Sequence, residues 1–134
     1  MPVITPSPGR PVPLVLIVDD NQKNRNLAGD VLRAAGFQAL EAESGREGIT
    51  LAAEHLPDVI LMDLRLPDMG GADAARTLAG DARTARIPVV ALSALPFEAS
   101  GDWFVAAGFA GYVEKPISVG EFPAQVRDYC ARSR

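Results

Sequence analysis

Short apolar runs alternate along this chain with longer stretches whose apolar residues recur at helical spacing. Leu14–Val18 (LVLIV) is apolar without a break, the pattern of a parallel strand buried on both faces. From Asn21 to Ala35 the residues Leu27, Val31, Leu32 and Ala35 form one helical stripe, and Gly36 stands at the stop position. Phe37–Ala42 predicts a second strand. Ser44, Gly45, Arg46 and Glu47 make the S-x-x-E opening of a helix that runs to about His55. Pro57 breaks the chain before a third strand, Val59–Met62. Pro67, Gly70 and Gly71 then mark a loop ahead of a short helix from Ala72 to Gly80. Ile87–Leu92 is the fourth strand. Pro96 and Gly101 weaken the helix expected after it. Gly108 and Gly111 lead into a fifth strand at Tyr112–Glu114. Ser118 to Glu121 repeats the capping pattern, but Pro123 has no amide donor. The last helix is therefore expected from about Phe122, with Pro123 at its first position.

Five strand–helix repeats without a hairpin signal predict an α/β fold, a doubly wound five-stranded parallel sheet. Strand order 2-1-3-4-5 is the common arrangement at this size. Residues 1–13 carry five prolines and no periodicity and read as a flexible tail, leaving 14–134 as the folded domain. With 134 residues, 48% of them apolar and 22% charged, the chain supports one hydrophobic core. A net charge of −4 without a Lys/Arg cluster argues against nucleic acid as a partner. No apolar run approaches the roughly 18 residues of a membrane span, and no signal-peptide pattern opens the chain. Cys130 stands alone, which excludes an intramolecular disulfide and fits a cytoplasmic location.

Polar residues follow four of the apolar runs: Asp19 and Asp20, Asp63, Ser93 and Lys115. In an open parallel sheet the carboxyl ends of the strands line one edge, where ligands bind. Order 2-1-3 brings Asp19, Asp20 and Asp63 together. Three carboxylates at one edge repel unless a cation joins them, and oxygen donors alone suit Mg²⁺. A cation so held bridges to phosphate oxygens, and an aspartate is a competent nucleophile toward phosphorus. Lys115 adds positive charge, and Ser93 offers a hydrogen bond to a phosphoryl oxygen. No G-x-x-x-x-G-K-[ST] segment is present to cradle a nucleoside triphosphate, so the phosphoryl donor comes from elsewhere. Taken singly, Asp20 and Ser93 would be helix caps, Asp63 a loop carboxylate, Lys115 a surface lysine and Tyr112 half-buried packing. Their convergence, taken together with the family resemblance that follows, overrides those readings.

The segments LIVDDN, ILMDLRLPDMGG, VVALSA and GYVEKPIS resemble the signature segments of response-regulator receiver domains, in order and spacing, from Leu14 to Cys130. The resemblance implies the flavodoxin-like receiver fold, with Asp63 as phospho-acceptor. It further implies Asp20 as a direct Mg²⁺ ligand, Asp19 as a ligand through water, and the Arg65 backbone carbonyl as another. Ser93 and Tyr112 are the implied switch pair, and Lys115 the phosphate contact before a cis peptide to Pro116. KPISV and the absence of an output segment resemble single-domain regulators of cell-cycle phosphorelays. The implied partners are a sensor histidine kinase or phosphotransfer protein as donor, and a target protein at the face of the fourth helix, fifth strand and last helix. Such a chain assists its own phosphotransfer and is not otherwise an enzyme.

Met69-Gly70-Gly71 stands where the family often has Met-Asp-Gly. Arg65 and Leu95, each two residues past a pocket residue, offer no acidic or amide group to guide an attacking water, so a long-lived phosphoryl group is expected. On the first helix Gln22, Arg25, Asn26 and Gly29 are expected to be exposed beside the pocket, opposite the apolar stripe, where a donor would dock. Two rival readings remain. A phosphohydrolase of the aspartyl-phosphate type needs D-x-D after the first strand, and position 21 is Asn. A docking module that is never phosphorylated would not need the full pocket set.

Overall fold

The computed structural model describes residues 12–94 and 102–131. The elements run β1 (Leu14–Val18), α1 (Gln22–Ala34), β2 (Gln38–Ala42), α2 (Gly45–His55), β3 (Val59–Asp63), α3 (Gly71–Ala79), β4 (Val89–Ser93), α4 (Asp102–Ala106), β5 (Phe109–Glu114) and α5 (Phe122–Ala131). The five strands form one sheet in the order β2-β1-β3-β4-β5, every pairing parallel. This is the doubly wound topology expected from the repeats.

The unbroken apolar strands are explained by the two apolar layers that the sheet separates. Side chains alternate across a strand, so Val15 and Ile17 of β1 face one way and Leu16 and Val18 the other. Val15, Ile17, Val59, Leu61, Val90 and Leu92 pack with Leu32 of α1 and with Phe122, Val126 and Cys130 of α5. Leu16, Val18, Ile60, Met62 and Ala91 pack with Ala52 of α2, Ala74 and Leu78 of α3 and Phe104 of α4. Burial on both faces leaves no position in the central strands for a polar residue. Polar side chains therefore begin where the strands end, at the carboxyl edge.

Most boundaries lie within a residue of expectation. Asn21 caps α1, its Oδ1 accepting from Asn24 N–H at 3.0 Å, and Gly36 takes φ 98° past the helix end. Ser44 caps α2 through Oγ, with Glu47 N–H donating at 3.1 Å, while Glu47 Oε1 accepts from Glu43 N–H at 2.8 Å. At Ser118 the second S-x-x-E segment makes a turn instead: its carbonyl accepts from Glu121 and Phe122, and α5 begins at Phe122 with Pro123 one place further in.

Two expectations are corrected. β5 starts at Phe109, three residues earlier than Tyr112, because Phe109 pairs with Val89 across an irregularity between Val89 and Val90. On α1 the buried residues are Arg25, Ala28, Gly29 and Leu32, whereas Leu27 is 43% exposed. The helix is thus rotated from the orientation its apolar residues imply. Arg25 has partners distant along the chain that periodicity cannot reveal.

Leu95, and the weak helical start around Pro96 and Gly101, lie outside the described residues, as do residues 1–11 of the proline-rich segment. Among the described residues no helix is long and apolar enough to cross a membrane.

Candidate active site

Four strand ends and the loops behind them build one cleft of about 380 Å³, lined by Asp19, Asp20, Asn21, Asp63, Arg65, Ser93 and Lys115 among others. Asp63 is the last residue of β3, Ser93 the last of β4, and Asp19 follows β1 directly. Lys115 follows β5; its N–H donates to the Ser93 carbonyl at 2.8 Å, and its peptide to Pro116 is cis. Carboxylate oxygens of Asp19, Asp20 and Asp63 all lie within 4.8 Å of one another. Lys115 Nζ stands 3.1 Å from Asp63 Oδ2 and 3.1 Å from Asp19 Oδ2. Asp63 Oδ1 accepts from Arg65 N–H at 3.0 Å, and Asp19 Oδ1 from Asn21 N–H at 2.9 Å.

Burial sets the electrostatics. Asp19, Asp63 and Ser93 are buried, and Asp20 is exposed. Burial raises the Asp63 carboxyl above its ordinary range. The Arg65 N–H and the Lys115 charge pull it back only in part, and the Asp19 charge adds to the rise. For Lys115 burial acts to lower the ammonium, but Asp63 and Asp19 outweigh it and the net shift is upward. The lysine is held charged between two acids, while one of those acids is destabilised as an anion. Three carboxylates and one bridging ammonium leave room, in charge and in donor chemistry, for a hard divalent cation bound through oxygen.

The pocket residues named from the sequence therefore meet in one place. Tyr112 lies on β5 beside Ala91 of β4 and is 41% exposed, outside the residues that line the cleft. Two contributors were not evident from the sequence. Arg25 reaches back from α1 and donates through Nη1 to the Asp19 carbonyl at 2.8 Å. Asp68, in the loop that also carries Arg65, accepts from Gly45 and Arg46 N–H at 2.9 Å each, tying that loop to the start of α2. The loop is pinned further at Gly71, where an added Cβ would lie 2.6 Å from the Asp63 carbonyl oxygen.

A family model described as the response regulator receiver domain matches residues 15–127. The chain belongs to the response regulator receiver family. This receiver is 36% identical over 115 residues to the polar-differentiation response regulator DivK of Brucella ovis and of Brucella abortus, covering 86% of this chain and 94% of theirs. Among solved structures it is similar to a response regulator of Chloroflexus aurantiacus (28% identity, TM-score 0.82, covering 90% of this chain and 98% of that one). It is also similar to the receiver domain of a Pseudomonas aeruginosa sensor histidine kinase, whose structure has a magnesium ion coordinated in the active site cleft (27% identity, TM-score 0.81, covering 89% and 98%). The chemotaxis regulator CheY4 of Vibrio cholerae, at 24% identity and TM-score 0.82 over 88% of this receiver and 98% of CheY4, shares the fold. The receiver is thus a response regulator of two-component signalling, for which phosphoryl acceptance on an aspartate with Mg²⁺ is a general property.

Proposed function

We propose that Asp63 is the phospho-acceptor and that the donor is a phosphohistidine of a sensor kinase or phosphotransfer protein. The observation that carries this reading is the placement of the Asp63 carboxylate, 3.1 Å from the Lys115 ammonium and within 4.8 Å of two further carboxylates. One Asp63 oxygen bonds to phosphorus as the bond from phosphorus to the imidazole nitrogen breaks, and the imidazole leaves. Asp20 and Asp63 would hold Mg²⁺ directly, with the Arg65 carbonyl, and Asp19 through water. When bound, the cation supplies charge neutralisation between carboxylates and phosphoryl oxygens. Lys115 meets a second phosphoryl oxygen, and Ser93 hydrogen-bonds a third.

The product carries roughly two negative charges and three acceptor oxygens where the Asp63 carboxylate alone stood. Ser93 moves toward it and Tyr112 turns inward from its exposed position, so the face of α4, β5 and α5 changes shape. That face, with Trp103 41% and Val105 74% exposed, would meet a target protein in the cytoplasm. The donor docks over α1, where Gln22 and Asn26 are exposed; Arg25 and Gly29, being buried, are removed from that surface. The phosphohydrolase reading loses ground here, since Asn21 is occupied as the cap of α1.

The test is labelling with acetyl phosphate and Mg²⁺, read by intact-protein mass spectrometry. Wild type should gain one phosphoryl group. Asp63→Asn, which keeps the size of the side chain and loses its nucleophilicity, should gain none. Labelling of Asp63→Asn at the wild-type rate would sink the assignment.

A further inference from the structure

Arg25 is the only Lys or Arg in the buried set among the described residues, and its contacts point in two directions. On one side its Nε lies 3.4 Å from Glu41 Oε1 and its Nη2 3.8 Å from Glu43 Oε2, which braces α1 against β2. Glu41 is shared: its Oε2 is 3.1 Å from Arg33 Nη2, about two turns further along α1. Gly29 lies beneath the pair: a Cβ there would stand 2.9 Å from Arg33 Nη1 and 3.0 Å from Glu41 Oε2. On the other side Arg25 Nη1 donates to the carbonyl of Asp19 at 2.8 Å.

That last contact completes the immobilisation of Asp19. Its N–H donates to the Ala42 carbonyl at 3.1 Å, Oδ1 accepts from Asn21 N–H, and Oδ2 meets Lys115. The carbonyl held by Arg25 belongs to the peptide that joins Asp19 to Asp20. Asp20 is exposed and is joined to the fixed Asp19 through that peptide.

We infer that Arg25 is a positioning residue for cation binding: it fixes the peptide between Asp19 and Asp20 so that the Asp20 carboxylate is held toward Asp63. The inference rests on the reading of Asp20 as a direct ligand. It separates two jobs of one side chain. The glutamate contacts serve stability, and the carbonyl contact serves the metal. Outer partners that orient a ligand typically change metal affinity by about 10–100-fold when removed. Here the effect is placed at about tenfold, the lower end of that range, because Asn21 and Lys115 still hold the Asp19 carboxylate after Arg25 is lost.

The experiment titrates the full chain with MgCl₂ by calorimetry, far below every melting temperature, for wild type, Asp20→Ala, Arg25→Gln, Arg25→Lys and Glu41→Gln. Wild type should bind and Asp20→Ala should not. Arg25→Gln should bind about tenfold more weakly, and Arg25→Lys, whose ammonium reaches one partner at a time, should fall between them. Glu41→Gln should melt earlier yet bind Mg²⁺ like wild type. If Arg25→Gln does not fold, Arg25→Lys carries the comparison. Unchanged affinity in the Arg25 variants, or an equal loss in Glu41→Gln, would make Arg25 a packing brace and overturn the inference alone. Failure of wild type to bind MgCl₂ would overturn the ligand reading and the inference together.

Discussion

Asp63 is under opposing pressures that a substitution can separate. Burial, with the Asp19 charge beside it, raises its pKa above the unfolded value despite Lys115 and the Arg65 N–H. The contribution of such a group to stability is fully present below the unfolded pKa and is lost as pH rises through the folded one. At pH 7, with divalent cations chelated, the charged Asp63 therefore destabilises the fold. Asp63→Asn should melt a few degrees higher than wild type at pH 7, and the difference should vanish once the pH falls below the ordinary aspartate range. Thermal melts in EDTA at the two pH values check this, and an Asn variant that melts lower at pH 7 would contradict it. Cys130 gives a second prediction at this scale. Burial, aided by the Asp58 charge, pushes its thiol up to about 12. Only the thiolate is nucleophilic, so iodoacetamide at pH 8 should label Cys130 at the rate of global unfolding. Fast labelling of the native protein would show the site to be open.

At the scale of elements, the start of α2 is capped twice, by Ser44 from within and by Asp68 from the loop after β3. Ser44→Ala should cost about 1 kcal/mol of stability with little dependence on pH. Asp68→Ala should also lower the urea midpoint, but its effect depends on pH. Hydrogen bonds from Arg46 and Gly45 N–H hold the Asp68 carboxyl below its usual range. Its contribution is present above the unfolded pKa and is lost as the pH falls through the folded one. Urea titrations of both variants at pH 7 and at low pH separate the two caps. α4 has a different support. Its Phe104 stacks on Phe109 of β5 with ring centroids 4.7 Å apart, and Trp103 meets both rings edge-on. The five described residues of α4 are too few for a stable helix in isolation. Aromatic packing against β5 fixes α4 to the strand that carries Tyr112.

For the whole molecule, the acidic cleft and the cores are coupled by linkage. A cation that binds only the folded state stabilises it in proportion to the logarithm of its concentration, about 2.7 kcal/mol at a hundred times the Kd. MgCl₂ should therefore raise the melting temperature of wild type steadily with concentration and leave Asp20→Ala unmoved. Equal shifts in both would place the ion elsewhere. The same linkage explains why a fold can keep three carboxylates within 4.8 Å at one edge. The two apolar layers supply the stability that the acidic edge subtracts.

Much of this protein was legible in its residues. Runs without polar alternation identified strands buried on both faces, the repeat of strand and helix gave the parallel order, and polar residues could appear only where those strands ended. The pocket of Asp19, Asp20, Asp63, Ser93 and Lys115 followed from topology alone. What the sequence did not reveal depends on contacts distant along the chain. Leu27 reads as core and Arg25 as surface, yet α1 buries Arg25 because Glu41, on the neighbouring strand, and the Asp19 carbonyl are there to receive it. Asp68 drew no reading from the sequence and caps a helix that began 23 positions earlier. β5 extends back to Phe109 because β4 and the aromatic rings of α4 lie beside it. Periodicity reports what a residue prefers to face, and only the tertiary structure decides which partner is there to be faced.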